Sequence, residues 1–242
     1  MPTRQNHRGR HPEDDVLFSA KYIPVLRRGV VDLSFLFSRG YSDKSAVKLV
    51  GDHYQLDTRQ RRAVRGAACS DESQQYRAEH HVSPGALDGT RLCVDGYNLL
   101  ITVESALAGG VLLRGRDGCI RDLASLHRSY RKVAETVPAV RLIGETLVSL
   151  NVASVHWHFD APISNSGRLR ALLCEEAENH GWNWDVALTD RTDQVIRESS
   201  DVVVTSDSWI LDGAERWTNL TQHVVGNLRP APDVVDLGCE RD

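Results

Sequence analysis

The sequence predicts an α/β domain with a mostly parallel sheet, preceded by a small helical domain. From residue 91 onward, short β-prone runs alternate with helix-length patterns, which is the signature of βαβ units. Residues 13–70 carry helical spacing instead. The charge divides at the same place. Residues 1–90 hold 14 Lys and Arg against 11 Asp and Glu, whereas residues 91–242 hold 15 against 22. Such a split implies two modules with different work.

Residues 1–12 read as a flexible lead, basic and without the apolar stretch of a secretory signal. Val16, Leu17, Ala20, Ile23, Val25 and Leu26 are dense enough for a well-buried helix, interrupted by Pro24. Apolar residues continue from Val30 to Phe37 at helical spacing, and Ser38-Arg-Gly-Tyr-Ser42 breaks them. Ser42 is placed to cap a helix over Ala46 to Val50. Thr58 opens a basic helix with Arg59, Arg61, Arg62 and Arg65, read as a solvated face or a phosphate contact. Residues 70–90 are polar, and Ser83-Pro-Gly85 reads as a turn and the junction that ends a helical module over 13–85.

In the second module, over 86–228, strands are expected near 91–95, 153–159, 184–188, 201–205 and 222–225. Helices are expected near 98–107, 120–134, 139–150, 166–180, 191–198 and 207–213. Residues 111–119 read as a hairpin or loop, and 229–242 as a tail. Five scattered cysteines without a Cys-x-x-Cys argue against a zinc knuckle and for a reducing, cytoplasmic setting. No apolar stretch approaches the roughly 18 residues a membrane span requires, so a membrane is not an expected partner.

The chemistry lies in acids at strand ends. Asp95 closes the first strand, Asp160 the second, and Asp207 follows the fourth. Asp193 stands just past the third, where a helix starts. In a parallel sheet these ends share one edge, where such folds place their ligands. Clustered carboxylates repel one another, and a hard divalent cation, Mg2+ or Mn2+, relieves the repulsion through oxygen ligands. Such an ion activates water and stabilises a leaving oxygen. An isolated Asp after a strand is ordinarily a turn or cap residue, and Asp190 and Asp201 are read that way. A series of acids at successive strand ends is harder to explain so.

Val94-Asp-Gly-Tyr-Asn98, Phe159-Asp-Ala161, Asp193 and Val203-Val-Thr-Ser-Asp207 occur in the order found in PIN-like nucleases, and the chain resembles their NYN branch over residues 91–226. The resemblance implies a three-layer PIN-like fold, a Mg2+ or Mn2+ acid cluster and RNA cleavage. It makes Asp95, Asp160, Asp193 and Asp207 catalytic metal ligands and Asn98 a polar positioning group. It also asks for an acid on a helix after the first strand, for which Asp122 is chosen over Glu104, Glu135 and Glu145. One departure is visible: Thr192-Asp-Gln194 stands where NYN members often carry paired acids, so a two-metal arrangement would lack a ligand. Residues 25–72 resemble the N-terminal module of the prokaryotic family called domain of unknown function 434, which precedes a PIN-like domain.

Ser164, Ser166 and Arg168 open the helix after Asp160 and are candidates to hold a backbone phosphate, with helix capping as the alternative. Ser206 joins them as a substrate-binding candidate. His156 and His158 alternate around Trp157 and are read as packing, as are Trp182 and Trp184. The functional expectation is metal-dependent phosphodiester hydrolysis in RNA. The rival is a non-catalytic PIN-like module that binds RNA or protein, and a homo-oligomer is left open. A phosphatase ranks last, because the first strand lacks an Asp-x-Asp pair.

Overall fold

The computed structural model describes residues 7–124 and 130–238. Helices α1 (Asp14–Leu17), α2 (Ile23–Ser38), α3 (Asp43–His53) and α4 (Thr58–Ala67) form the helical region. Pro24 does not interrupt a helix: it stands in the first turn of α2, where its missing N–H costs nothing. Helix α4 starts at a capping box, with the Asp57 carboxylate on the Arg59 N–H and the Gln60 side chain returning to the Asp57 N–H.

Five strands form one sheet: β1 (Arg91–Asp95), β4 (Ser154–Asp160), β5 (Trp184–Thr189), β6 (Val202–Val204) and β7 (Trp217–Thr218). Their order is β5-β4-β1-β6-β7, and every pairing is parallel. Alternation sets the layers. Leu92, Val94, Val155, Trp157, Phe159, Val202 and Val204 face a core shared with α6 (Gly96–Leu107), α7 (Thr136–Ser149), α8 (Ser166–His180) and α11 (Leu220–Gly226). Cys93 and Val203 face the other way, against Ile196 of α9 (Thr192–Arg197) and Ile210 and Leu211 of α10 (Ser208–Leu211). The result is a three-layer α/β arrangement. The uninterrupted Val202-Val-Val204 run is what a central strand covered on both faces requires.

A second sheet, of order β3-β2-β8, joins β2 (Leu112–Arg114) and β3 (Ile120–Asp122) as an antiparallel hairpin to β8 (Val234–Asp236). Leu113 and Val235 pack with Leu26, Leu33 and Val64, so the helices of the first module share a core with this sheet. Among the described residues, no helix is long and apolar enough to cross a membrane.

Several expectations are corrected. Residues 222–225 are helical, within α11, because Asn219 caps the segment by accepting the Gln222 N–H; β7 is the fifth strand. Residues 120–122 are a strand, because Ile120 pairs with Arg114; residues 125–129 of the expected helix lie outside the described residues. The polar stretch before the junction forms α5 (Asp71–Glu79), capped by Ser70. The expected lead is tied down from residue 7 onward by His7 to Glu135, Arg8 to Glu104 and Arg10 to Asp233. The expected tail contributes β8.

Candidate functional site

Order in the five-strand sheet reverses at β1. The chain steps from β1 outward to β4 and β5, then returns to the other side of β1 with β6 and β7. Ligands of open α/β sheets bind beyond the strand ends at such a reversal. Here the ends of β1 and β6 are fastened together by side chains. The Asp95 carboxylate accepts the Thr205 hydroxyl at 2.8 Å and the Asn98 N–H at 3.3 Å. The Thr205 hydroxyl oxygen in turn accepts the Asp207 N–H at 3.0 Å. The Asn98 side-chain oxygen accepts both the N–H and the hydroxyl of Ser206, at 2.8 and 3.0 Å. Gly96 follows from the same turn, since a Cβ there would run into the Phe159 ring.

Asp207 is the N-cap of α10, accepting the Trp209 N–H at 2.8 Å and the Ile210 N–H at 3.2 Å. Asp193 is exposed in the first turn of α9, and Asp160 ends β4 half-buried. The four acids act on one another. Burial pushes the Asp95 carboxyl up to about 7, and the charges of Asp207 and Asp193 add to that rise against the two hydrogen bonds. Asp193, although exposed, is raised by partial desolvation of its carboxyl and by Asp207 and Asp160. The Tyr97 hydroxyl is pushed up to about 12 by burial and by Asp160. Among the described residues, none of the four acids has a cationic partner. Nor does any group of three or more His, Cys, Asp or Glu among them stand in an arrangement that could hold a metal ion. Capping accounts for Asp95 and Asp207 singly. It does not account for burying a carboxylate beside two others without a cation.

Asp122, expected on a helix, instead ends β3. Its carboxylate accepts the Thr102 hydroxyl and the Ala124 N–H, both at 2.7 Å, and Arg8 supplies the nearby charge. The acid of the helix after β1 is Glu104, fully buried on α6. It accepts the Tyr130 hydroxyl, the Thr136 hydroxyl at 2.6 Å and the Arg8 guanidinium. Glu135 pairs with His7 at 2.6 Å, and Glu145 is exposed on α7. Ser166 is buried, with its hydroxyl on the Ala161 carbonyl at 3.4 Å. Ser164 is exposed, and its carbonyl accepts the Tyr130 N–H. Arg168 lines a separate cavity beside α8. His156 and His158 are half-buried on the face that carries Asp95. Trp182 and Trp184 stack on each other at 4.6 Å.

Two features have only weak signals in the sequence. Beneath the 206–212 segment, Asp117 is held by Arg121 at 2.6 and 2.8 Å and by Arg77 of α5. Arg121 also donates to the Ser206 carbonyl at 2.9 Å, and Arg77 to Asp212 at 2.8 Å and the Ser208 carbonyl at 3.2 Å. Beside Asp207, Trp209 is 53% exposed, with the Arg197 guanidinium 4.4 Å from its ring centre.

A family model described as "Protein of unknown function (DUF434)" matches residues 25–79, and one described as "Domain of unknown function (DUF5616)" matches residues 84–223. An uncharacterized protein of Methanocaldococcus jannaschii is 26% identical over 180 residues, which are 74% of this chain and 86% of that protein. No solved structure matches. The 84–223 match covers more than half of the chain and includes β1, β4, β5, β6 and all four acids, so the chain belongs to the DUF5616 family.

Proposed function

We propose that this chain is a PIN-like, NYN-like nuclease that hydrolyses phosphodiester bonds in RNA with Mg2+ or Mn2+. The observation that carries the reading is the run of acids at the sheet's reversal point: Asp95 senses Asp207 and Asp193, Asp193 senses Asp207 and Asp160, and none of the four has a cationic partner among the described residues. The donor chemistry fits a hard cation: the oxygens are carboxylates, and Asp95 is raised to about 7 by burial and then by the charges of Asp207 and Asp193. These four residues would hold the ion, which when bound supplies an acidified water and neutralises charge on the phosphate. The rest is done by the chain itself. Thr205 and the Asn98 N–H orient the Asp95 carboxylate and favour its charged form. Asn98 fixes Ser206, and with it the backbone that carries Asp207. The exposed ring of Trp209, backed by Arg197, offers a stacking surface for a base, worth about 1–3 kcal/mol.

The test is cleavage of single-stranded RNA in Mn2+ by wild type and by Asp95→Asn. Loss of more than about 100-fold is expected, beyond the upper end of what losing an outer-shell partner costs. Equal rates would end the nuclease reading. One observation favours a second reading, a non-catalytic PIN-like module that binds RNA or protein: among the described residues no three acids stand close enough to hold an ion as they lie. RNA binding with no cleavage at any Mn2+ concentration would select it.

A further inference from the structure

A cavity of about 350 Å3 opens between the segment after residue 130 and α8. Its walls are fastened together. Tyr130 donates its N–H to the Ser164 carbonyl at 3.1 Å, and the Asn165 amide donates to the Tyr130 carbonyl at 2.9 Å. Asn165 sits at φ 72°, a left-handed conformation that asparagine tolerates, and this turns its side chain back across the gap. Leu169 and Leu172 supply apolar surface. Arg131, Lys132 and Arg168 supply three positive charges, and among the described residues no acidic side chain lines the cavity. None of the three cations is in an ion pair among the described residues. Lys132 does feel Glu176 of α8, but that carboxylate is held by Arg141 at 2.8 and 3.1 Å. Residues 91–242 hold 22 acids against 15 Lys and Arg, so an acid-free lining with three cations runs against the local composition.

The cavity is coupled in space to the acidic site. The Tyr130 ring lies 5.7 Å from that of Tyr97, and Tyr97 lies close enough to Asp160 to feel its charge. Tyr97 is 5% exposed, and its hydroxyl has no hydrogen-bond partner among the described residues. One pair of tyrosines therefore links the cationic cavity to Asp160. An interior phosphodiester brings a single negative charge, whereas a terminal phosphomonoester carries about 1.5 to 2 at neutral pH. Three free cations match the second better. The volume, at the low end of ligand pockets, suits one end group rather than a run of strand.

We propose that this cavity takes the terminal phosphomonoester of an RNA strand whose chain crosses the acidic site. The strand rests on the nuclease reading; the phosphate rests on the cavity. Binding without cleavage tests it, in EDTA, with the full chain. Three versions of one short single-stranded RNA are compared by fluorescence anisotropy with an internal label: 5′-phosphate, 3′-phosphate, and hydroxyl at both ends. One phosphorylated end is expected to bind about tenfold tighter than the hydroxyl version, the scale of one charge-assisted hydrogen bond. That preference should vanish in Arg168→Gln and in the double variant Arg131→Gln/Lys132→Gln and survive in Arg168→Lys, with thermal melting showing that each is folded. Equal binding of the three RNAs, or a preference that persists in both Gln variants, would overturn the proposal. Failure of the nuclease reading looks different: end preference would stay intact while Mn2+ brings no cleavage. Cleavage without any end preference would overturn the cavity assignment alone.

Discussion

Asp117 and Asp95 are both drawn out of water, and their environments drive them in opposite directions. Asp117 is nearly inaccessible, yet Arg121 and Arg77 hold its carboxyl far below the usual carboxylate range. Among the described residues Asp95 receives a hydroxyl and an N–H but no cation, and burial beside Asp207 and Asp193 lifts it to about 7. Removing a charge from water costs several kcal/mol unless a partner restores the loss. At Asp117 the fold supplies that partner internally. At Asp95 the described residues supply no such partner. The first arrangement is complete within the chain; the second is where the proposed cation would act.

Both carboxylates can be perturbed separately. Asp117→Ala would leave Arg77 and Arg121 facing each other with the carboxylate gone, and should destabilise by about 3–5 kcal/mol in urea unfolding. A loss under about 1 kcal/mol, the value of a surface pair, would erase the contrast. Next in size is the response to a cation. Mn2+ at a hundred times its dissociation constant should stabilise the wild type by about 2.7 kcal/mol, read as a rise in melting temperature, and should do little for Asp95→Asn. An equal rise in both would move the ion elsewhere.

Acidity gives a third test. The folded Asp95 pKa lies above its unfolded value, so the folded state holds this proton while the unfolded chain releases it. Its contribution is full below about pH 4 and is lost as pH rises through about 7. Asp95→Asn should therefore stabilise the metal-free protein at pH 8, by roughly 1–3 kcal/mol after discounting for solvent contact, and flatten that part of the pH profile. A destabilised variant would mean that Asp95 is a cap and nothing more. The smallest effect concerns Glu104, which combines both conditions: full burial, two hydroxyl donors and one arginine. Arg8→Ala should cost roughly 1–2 kcal/mol in chemical denaturation, because the hydroxyls remain as donors.

Much of this was legible in the residues. Runs such as Val155-His-Trp-His-Phe-Asp160 announce strands by alternation, and the acids that end them mark the edge of the sheet. Segments governed by a single side-chain contact were harder to read. Thr221 to Val225 has a β-prone composition, but Asn219 turns it into a helix. Ile120-Arg-Asp122 fits a helical spacing until a hairpin partner claims it. Helix α5 has no apolar stripe, because its main contribution is one buried arginine among polar neighbours. The charge at position 77 is plain in the sequence; its destination, 40 residues on at Asp117 and 135 on at Asp212, depends on tertiary packing.

That destination ties the two halves of the chain together. Arg77 belongs to the stretch matched by one family model, and the carboxylates it neutralises belong to the other. Just after it, His81 bridges to Trp217, the Val82 N–H donates to the Trp217 carbonyl at 2.7 Å, and the indole N–H donates to the Arg77 carbonyl. A second half transplanted without the first would carry a half-neutralised Asp117 and a bare sheet edge, an open template for sticking to other chains. Each half thus depends on the other for a neutralised Asp117 and a covered sheet edge.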